Sequence, residues 1–270
     1  MLGCGCALGL TGCAPPQPEL GTADYDALDL PAGCADRGRE GPAGGANRLL
    51  TSHAIPFSVR TPANYDGTRA HPLLVLYAPG GQHRFASEQF YALTRQATSA
   101  GFIVAYPDHL RLSMRGFDEL AQVPTLVAQR WCIDEHRVYL AGHSDGGSTA
   151  AAITFLGKSA LPPSALVVSA AGIRKQDLEA YACAQPISVM VIHSREDELF
   201  TLPAYGKDAA YWWAHCNRCE STLGQSGDDG CARFKGCADA TSTIYCETLG
   251  SHAQWPSANA SRLLAFLQQR

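Results

Sequence analysis

Five short apolar runs recur along the chain, spaced so that a helix fits between successive members. They are PLLVLYA (72–78), FIVAYP (102–107), RVYLAG (137–142), ALVVSAA (165–171) and ISVMVIH (187–193). Each is too short for a core helix, is rich in branched side chains and lacks polar alternation, the pattern of a strand covered on both faces. Helix-length segments lie between them at 87–99, 117–130 and 148–156, STIYCETL (242–249) adds a strand, and SRLLAFLQQR reads as a closing helix. Strand, helix, strand in repetition leaves few solutions. It predicts an α/β architecture, a mostly parallel sheet flanked by helices on both faces, with ligands held at the carboxyl ends of the strands.

Where the run RVYLAG ends and an alanine-rich segment begins stands Gly142-His143-Ser144-Asp145-Gly146. Two glycines alone could serve an ordinary turn. The Gly-x-Ser-x-Gly order in a strand-turn-helix setting instead predicts a strained elbow that lifts the serine hydroxyl to the top of the sheet, with the Asp145 N–H beside it to receive an oxyanion. A serine hydroxyl is a poor nucleophile near neutral pH, so a base must take its proton and an acid must orient that base. In this setting the chain order is serine, acid, histidine. Downstream lie His193, His215 and His252. His193 precedes any suitable acid, and His215 sits in the helical, cysteine-flanked stretch YWWAHCNRC. His252 follows a strand and a Gly-Ser turn, which makes it the candidate base. The preceding acid loop, HSREDELF, offers Glu196, Asp197 and Glu198; Asp197 is the choice, with the two glutamates read as solvated loop charges. For the second oxyanion donor, the loop APGGQHR (78–84) supplies Gly80, Gly81 and Gln82, since Pro79 has no N–H. Gly81 is the first choice.

From about residue 50 onward the chain resembles the bacterial polyhydroxybutyrate depolymerase and feruloyl esterase group of α/β-hydrolases. The resemblance is carried by PANYDGTRAHPLLVLYAPGG, WCIDEHRVYLAGHSDGG, HSRED, the segment from WWAHCNRC to FKGC, and GSHAQWP. Two departures are visible: Ala78-Pro79-Gly80 stands where many relatives have His-Gly-Gly, and the usual His-x-Trp-Pro is lengthened to His252-Ala253-Gln254-Trp255-Pro256. The resemblance implies an α/β-hydrolase fold with Ser144, Asp197 and His252 at the triad positions. It also implies ester hydrolysis through an acyl-enzyme, without a cofactor. Hydroxybutyrate oligomers lead as substrate and feruloyl or acetyl groups on polysaccharide follow; Tyr77 and Trp255 are the aromatic residues expected near the site. The rival class is a non-catalytic envelope lipoprotein that keeps the hydrolase fold.

The 270 residues suffice for one domain, taken to begin at residue 34, and a net charge of −4 gives no basic excess to suggest a nucleic-acid partner. MLGCGCALGLTGCAPP opens the chain with an apolar stretch too short to span a bilayer, and residues 1–12 read as an export signal. Leu10-Thr11-Gly12-Cys13 resembles a bacterial lipobox, in which Cys13 would carry lipid and supply the protein's membrane contact. Ala14 after it points to the outer membrane in resembling lipoproteins. Residues 13–33, rich in proline, glycine and acids, read as a tether. Beyond them come Cys34, Cys132, Cys183, Cys216, Cys219, Cys231, Cys237 and Cys246. An even number in an exported chain predicts four disulfides, whose pairing the sequence leaves open. Zinc held by the cysteines of HCNRC (215–219) with Cys231 and Cys237 competes locally.

Overall fold

The apolar runs become the buried central strands of a single nine-stranded sheet. The computed structural model describes residues 18–34, 39, 41–183 and 185–270. In chain order the elements are β1 (Ala46–Leu50), β2 (Pro56–Arg60), β3 (His71–Tyr77), α1 (Arg84–Tyr91), α2 (Thr94–Ser99), β4 (Ile103–Pro107), α3 (Met114–Leu120), α4 (Val123–Ala128) and β5 (Ile133–His143). There follow α5 (Asp145–Phe155), β6 (Ala165–Ser169), α6 (Lys175–Leu178), β7 (Ser188–Ser194), α7 (Lys207–Cys216), β8 (Cys231–Arg233), β9 (Thr243–Thr248) and α8 (Ser257–Leu267). The spatial order is β1-β2-β4-β3-β5-β6-β7-β9-β8. Strands from β4 to β9 in that order are parallel, while β1 and β2 at one edge and β8 at the other pair antiparallel. Along β3 the side chains alternate between two cores: Leu73, Val75 and Tyr77 enter one, Leu74 and Leu76 the other. Because successive residues of a strand point to opposite faces, a strand covered on both sides must be apolar throughout. This is the α/β-hydrolase fold.

Two expected helices each divide in two. The segment 87–99 breaks at Ala92, which takes a left-handed conformation (φ 48°) between α1 and α2. The break lets Glu88 and Thr94 converge on a buried polar cluster. Arg60 donates to both Glu88 oxygens at 2.9 and 2.8 Å, and the Thr94 hydroxyl donates to Oε1 at 2.8 Å. The segment 117–130 is interrupted where Pro124 enters the first turn of α4, a position that needs no N–H.

The arm at 18–33, expected to hang free as a tether, is packed on the domain. Gly21 donates its N–H to the Thr98 hydroxyl at 2.7 Å, and Asn64 bonds both the N–H and the carbonyl of Ala23 at 2.9 and 2.8 Å. Ala23 and Leu30 are buried. The packed part of the chain therefore reaches back to Pro18. Cys13 and the proposed export signal lie outside the described residues.

The eight later cysteines form four disulfides: Cys34–Cys132, Cys183–Cys216, Cys219–Cys237 and Cys231–Cys246. Both cysteines of HCNRC, and the Cys231 and Cys237 grouped with them in the zinc alternative, are thereby bonded to sulfur. Among the described residues no helix is long and apolar enough to cross a membrane.

Candidate active site

Ser144 stands between the end of β5 and the start of α5 with φ 56° and ψ −124°, a conformation that non-glycine residues rarely adopt. The flanking glycines make the elbow possible by close approach. A Cβ on Gly142 would run into the backbone of Gly146 and Gly147, and one on Gly146 into the Tyr77 carbonyl of β3. The Ser144 N–H donates to the Ser169 carbonyl at 2.9 Å, fixing the turn to the neighbouring strand.

The loops after β7 and β9 bring Asp197 and His252 to this serine. His252 Nε2 lies 2.8 Å from Ser144 Oγ, and its Nδ1 lies 2.8 Å from Asp197 Oδ2. Asp197 Oδ1 accepts the N–H groups of Leu199 and Phe200 at 2.9 and 2.7 Å. Burial alone would raise the Asp197 pKa. The hydrogen bonds from the Phe200 N–H and from His252 lead the effects that outweigh it and hold the carboxyl below its ordinary range. An ionised Asp197 can only accept, so Nδ1 of His252 carries the proton and Nε2 is left to accept from the serine hydroxyl.

His252 is held from several sides that sequence reasoning missed. Glu198 accepts the His252 N–H at 3.1 Å, and Glu196 accepts the Gly250 N–H at 2.7 Å. The two glutamates read as solvated charges thus tie the acid loop to the histidine loop. His143 Nε2 donates to the His252 carbonyl at 2.8 Å while its Nδ1 meets the Ser169 hydroxyl at 3.0 Å. Burial pushes the His143 pKa down to about 4, so the ring stays neutral. His193 donates from Nε2 to the Phe200 carbonyl at 2.6 Å, beneath Asp197, and burial lowers its pKa as well. The Phe200 ring stands edge-on to His252, with centroids 4.9 Å apart. Nothing local in the sequence marked these supports, which join residues far apart in the chain.

Asp145 is the first residue of α5, so its N–H has no acceptor within the helix. In the loop after β3, the Gln82 N–H closes a turn on the Pro79 carbonyl at 3.1 Å, which removes Gln82 as a donor. Gly80 and Gly81 remain, Gly81 with φ +73° and open space on its side-chain side. Of the two expected aromatics, Tyr77 is wholly buried and Trp255 half-buried. Tyr77 is 1% exposed in the core, and Trp255 packs edge-on against Tyr91 and beside Phe90 and His143.

No protein-family model matches the sequence, and no curated protein matches it. Solved structures share the fold. An acetyl xylan esterase from Aspergillus awamori superposes with a TM-score of 0.61 at 12% identity, covering 84% of this chain and 100% of its own. A thermostable esterase gives 0.56 at 15% identity over 84% of this chain and 62% of its own. A putative dipeptidyl aminopeptidase IV from Bacteroides ovatus gives 0.54 at 12% identity over 83% of this chain. This chain spans 35% of that last protein's length.

Proposed function

We propose that the protein is an exported serine carboxylesterase that cleaves short-chain or hydroxyalkanoate esters through an acyl-enzyme. The observation that carries the proposal is His252 bonded at 2.8 Å on one side to Ser144 Oγ and on the other to Asp197. In the first half-reaction Ser144 Oγ attacks the ester carbonyl as its proton passes to His252 Nε2. Asp197 stabilises the imidazolium, and the N–H groups of Asp145 and Gly81 receive the oxyanion. The alcohol then leaves with the proton from His252. Water, deprotonated by the same nitrogen, attacks the acyl group and releases the acid and the serine. Four disulfides support an exported location, since such bonds persist in oxidising compartments. Lipid on Cys13 in a bacterial envelope belongs to the same proposal.

The burial of Tyr77 removes one of the two aromatic faces on which a feruloyl ring could stack, which supports a small acyl group. Acetyl groups on polysaccharide form the second reading, supported by the likeness to an acetyl xylan esterase. The test is a fluorophosphonate label followed by specificity constants on a hydroxybutyrate trimer, a short nitrophenyl ester, an acetylated xylan and methyl ferulate. Labelling at Ser144, lost in Ser144→Ala, is the expected result. A tenfold preference for the acetylated polymer, about 1.4 kcal/mol in transition-state binding, would select the second reading. Folded protein that takes no label and cleaves no ester would leave the non-catalytic alternative standing.

A further inference from the structure

The loop after β4 touches both arms of the oxyanion site without touching the serine, the histidine or the acid. The His109 N–H donates to the Gln82 carbonyl at 3.0 Å, on the loop that carries Gly80 and Gly81. Its imidazole Nε2 lies 3.0 Å from Asp145 Oδ2, on the elbow. One residue earlier, the Asp108 carboxylate accepts the Arg84 N–H at 2.6 Å and its guanidinium at 3.1 Å. Two consecutive residues therefore grip the loop after β3 at Gln82 and Arg84, and the second also reaches across to α5. Between the two arms lies the Asp145 carboxylate itself: a Cβ on Gly80 would sit 3.2 Å from its Oδ2.

A carboxylate there is a liability. Negative charge develops on the substrate oxygen within reach of the Asp145 and Gly81 N–H groups, and a like charge close by opposes it. The Asp145 side chain is 32% exposed and that of His109 is 18%, so water screens the pair incompletely. An ionised carboxylate accepts only, so the bond requires a proton on His109 Nε2. That bond gives the carboxylate a donor and fixes the side chain of the residue whose own N–H must face the carbonyl.

We propose that His109 is a positioning residue of the oxyanion site, holding the Gly80–Gln82 loop against the elbow and taking up the Asp145 carboxylate. The proposal rests on the esterase reading above. Its test compares wild type, His109→Ala and His109→Gln on a short nitrophenyl ester. The same three proteins are titrated with a trifluoromethyl ketone, whose adduct with the serine carries an oxyanion. His109→Ala is expected to lose about tenfold to a hundredfold in kcat with KM within about twofold, and ketone affinity should fall by a similar factor. His109→Gln, which presents an N–H donor at comparable reach, should recover to within about threefold of wild type. The proposal is overturned if His109→Ala stays within about threefold, if its loss appears in KM with ketone affinity unchanged, or if Gln is as impaired as Ala. A wild type without ester turnover would overturn the esterase reading instead, and is seen before any variant is compared.

Discussion

Three adjacent acids in one loop, Glu196, Asp197 and Glu198, have distinct duties set by where each side chain lands. Asp197 faces inward, 4% exposed, and bonds the imidazole; its neighbours stay outside and hold backbone N–H groups of the histidine loop. Asp197→Asn should therefore lower kcat by about 10⁴, because the amide leaves the imidazole in the wrong tautomer. Glu198→Gln keeps an oxygen acceptor for the His252 N–H, and a loss of no more than about tenfold is expected from the same assay. The reverse ranking would move the acid to Glu198. Histidines supply a second contrast. His71, His143 and His193 are buried, and burial holds the pKa of each below the ordinary 6.5. On acidification the unfolded chain binds these protons first, so stability falls as pH drops below about 6.5, and for His143 the loss continues to about 4. For His143 alone this amounts to roughly 3 kcal/mol. Urea unfolding at pH 7 and pH 4.5, with disulfides intact, should show the decline, and His143→Gln should flatten it.

The elbow joining β5 to α5 depends on backbone crowding more than on any side chain. Gly142→Ala or Gly146→Ala forces a methyl group into main-chain atoms that cannot retreat, and either variant should fail to accumulate as folded protein. Recovery of soluble, folded protein from both would contradict the geometry. Between β2 and α1, the Arg60–Glu88 pair is bonded at 2.9 and 2.8 Å with both side chains at most 5% exposed. Removing one partner strands a buried charge, so Arg60→Met should cost about 3–5 kcal/mol in chemical denaturation, and Arg60→Met with Glu88→Leu clearly less. These elements also show what could be read in advance. Central strands announce themselves because two covered faces demand unbroken apolar runs. Edge strands do not: β1 exposes most of its residues, β2 begins at a proline, and β8 has only three residues. Ser144 and His252 follow from a motif and a chain order, and the structure brings both together with Asp197. The Glu196, Glu198, His143 and His193 supports follow from neither, because their partners arrive from other loops only after folding. Of the two helix breaks, the one at Pro124 is legible, since a proline inside an expected helix marks a first turn, whereas the one at Ala92 answers to a buried cluster that forms only on folding.

Sulfur bonds hold the molecule at two places, one around α7 and the β8–β9 edge and one where Cys34 meets Cys132 just ahead of β5. Thiol titration of the unfolded, unreduced domain from Pro18 onward should find no free thiol. Cys34→Ser with Cys132→Ser opens a loop with a sequence separation of 98 residues and should cost about 2–5 kcal/mol, read as a lowered urea midpoint. The bond also fastens the end of the arm that begins at Pro18. The arm's partners, Asn64, Ala70 and Thr98, lie just ahead of β3 and β4, at the amino ends of the parallel strands. Ser144, Asp197 and His252 lie at the opposite, carboxyl ends. The arm thus lies on the face of the sheet's strand ends away from the candidate site. A surface that held the chain at Pro18 would meet the amino ends of the strands, with Ser144 at the far side from it.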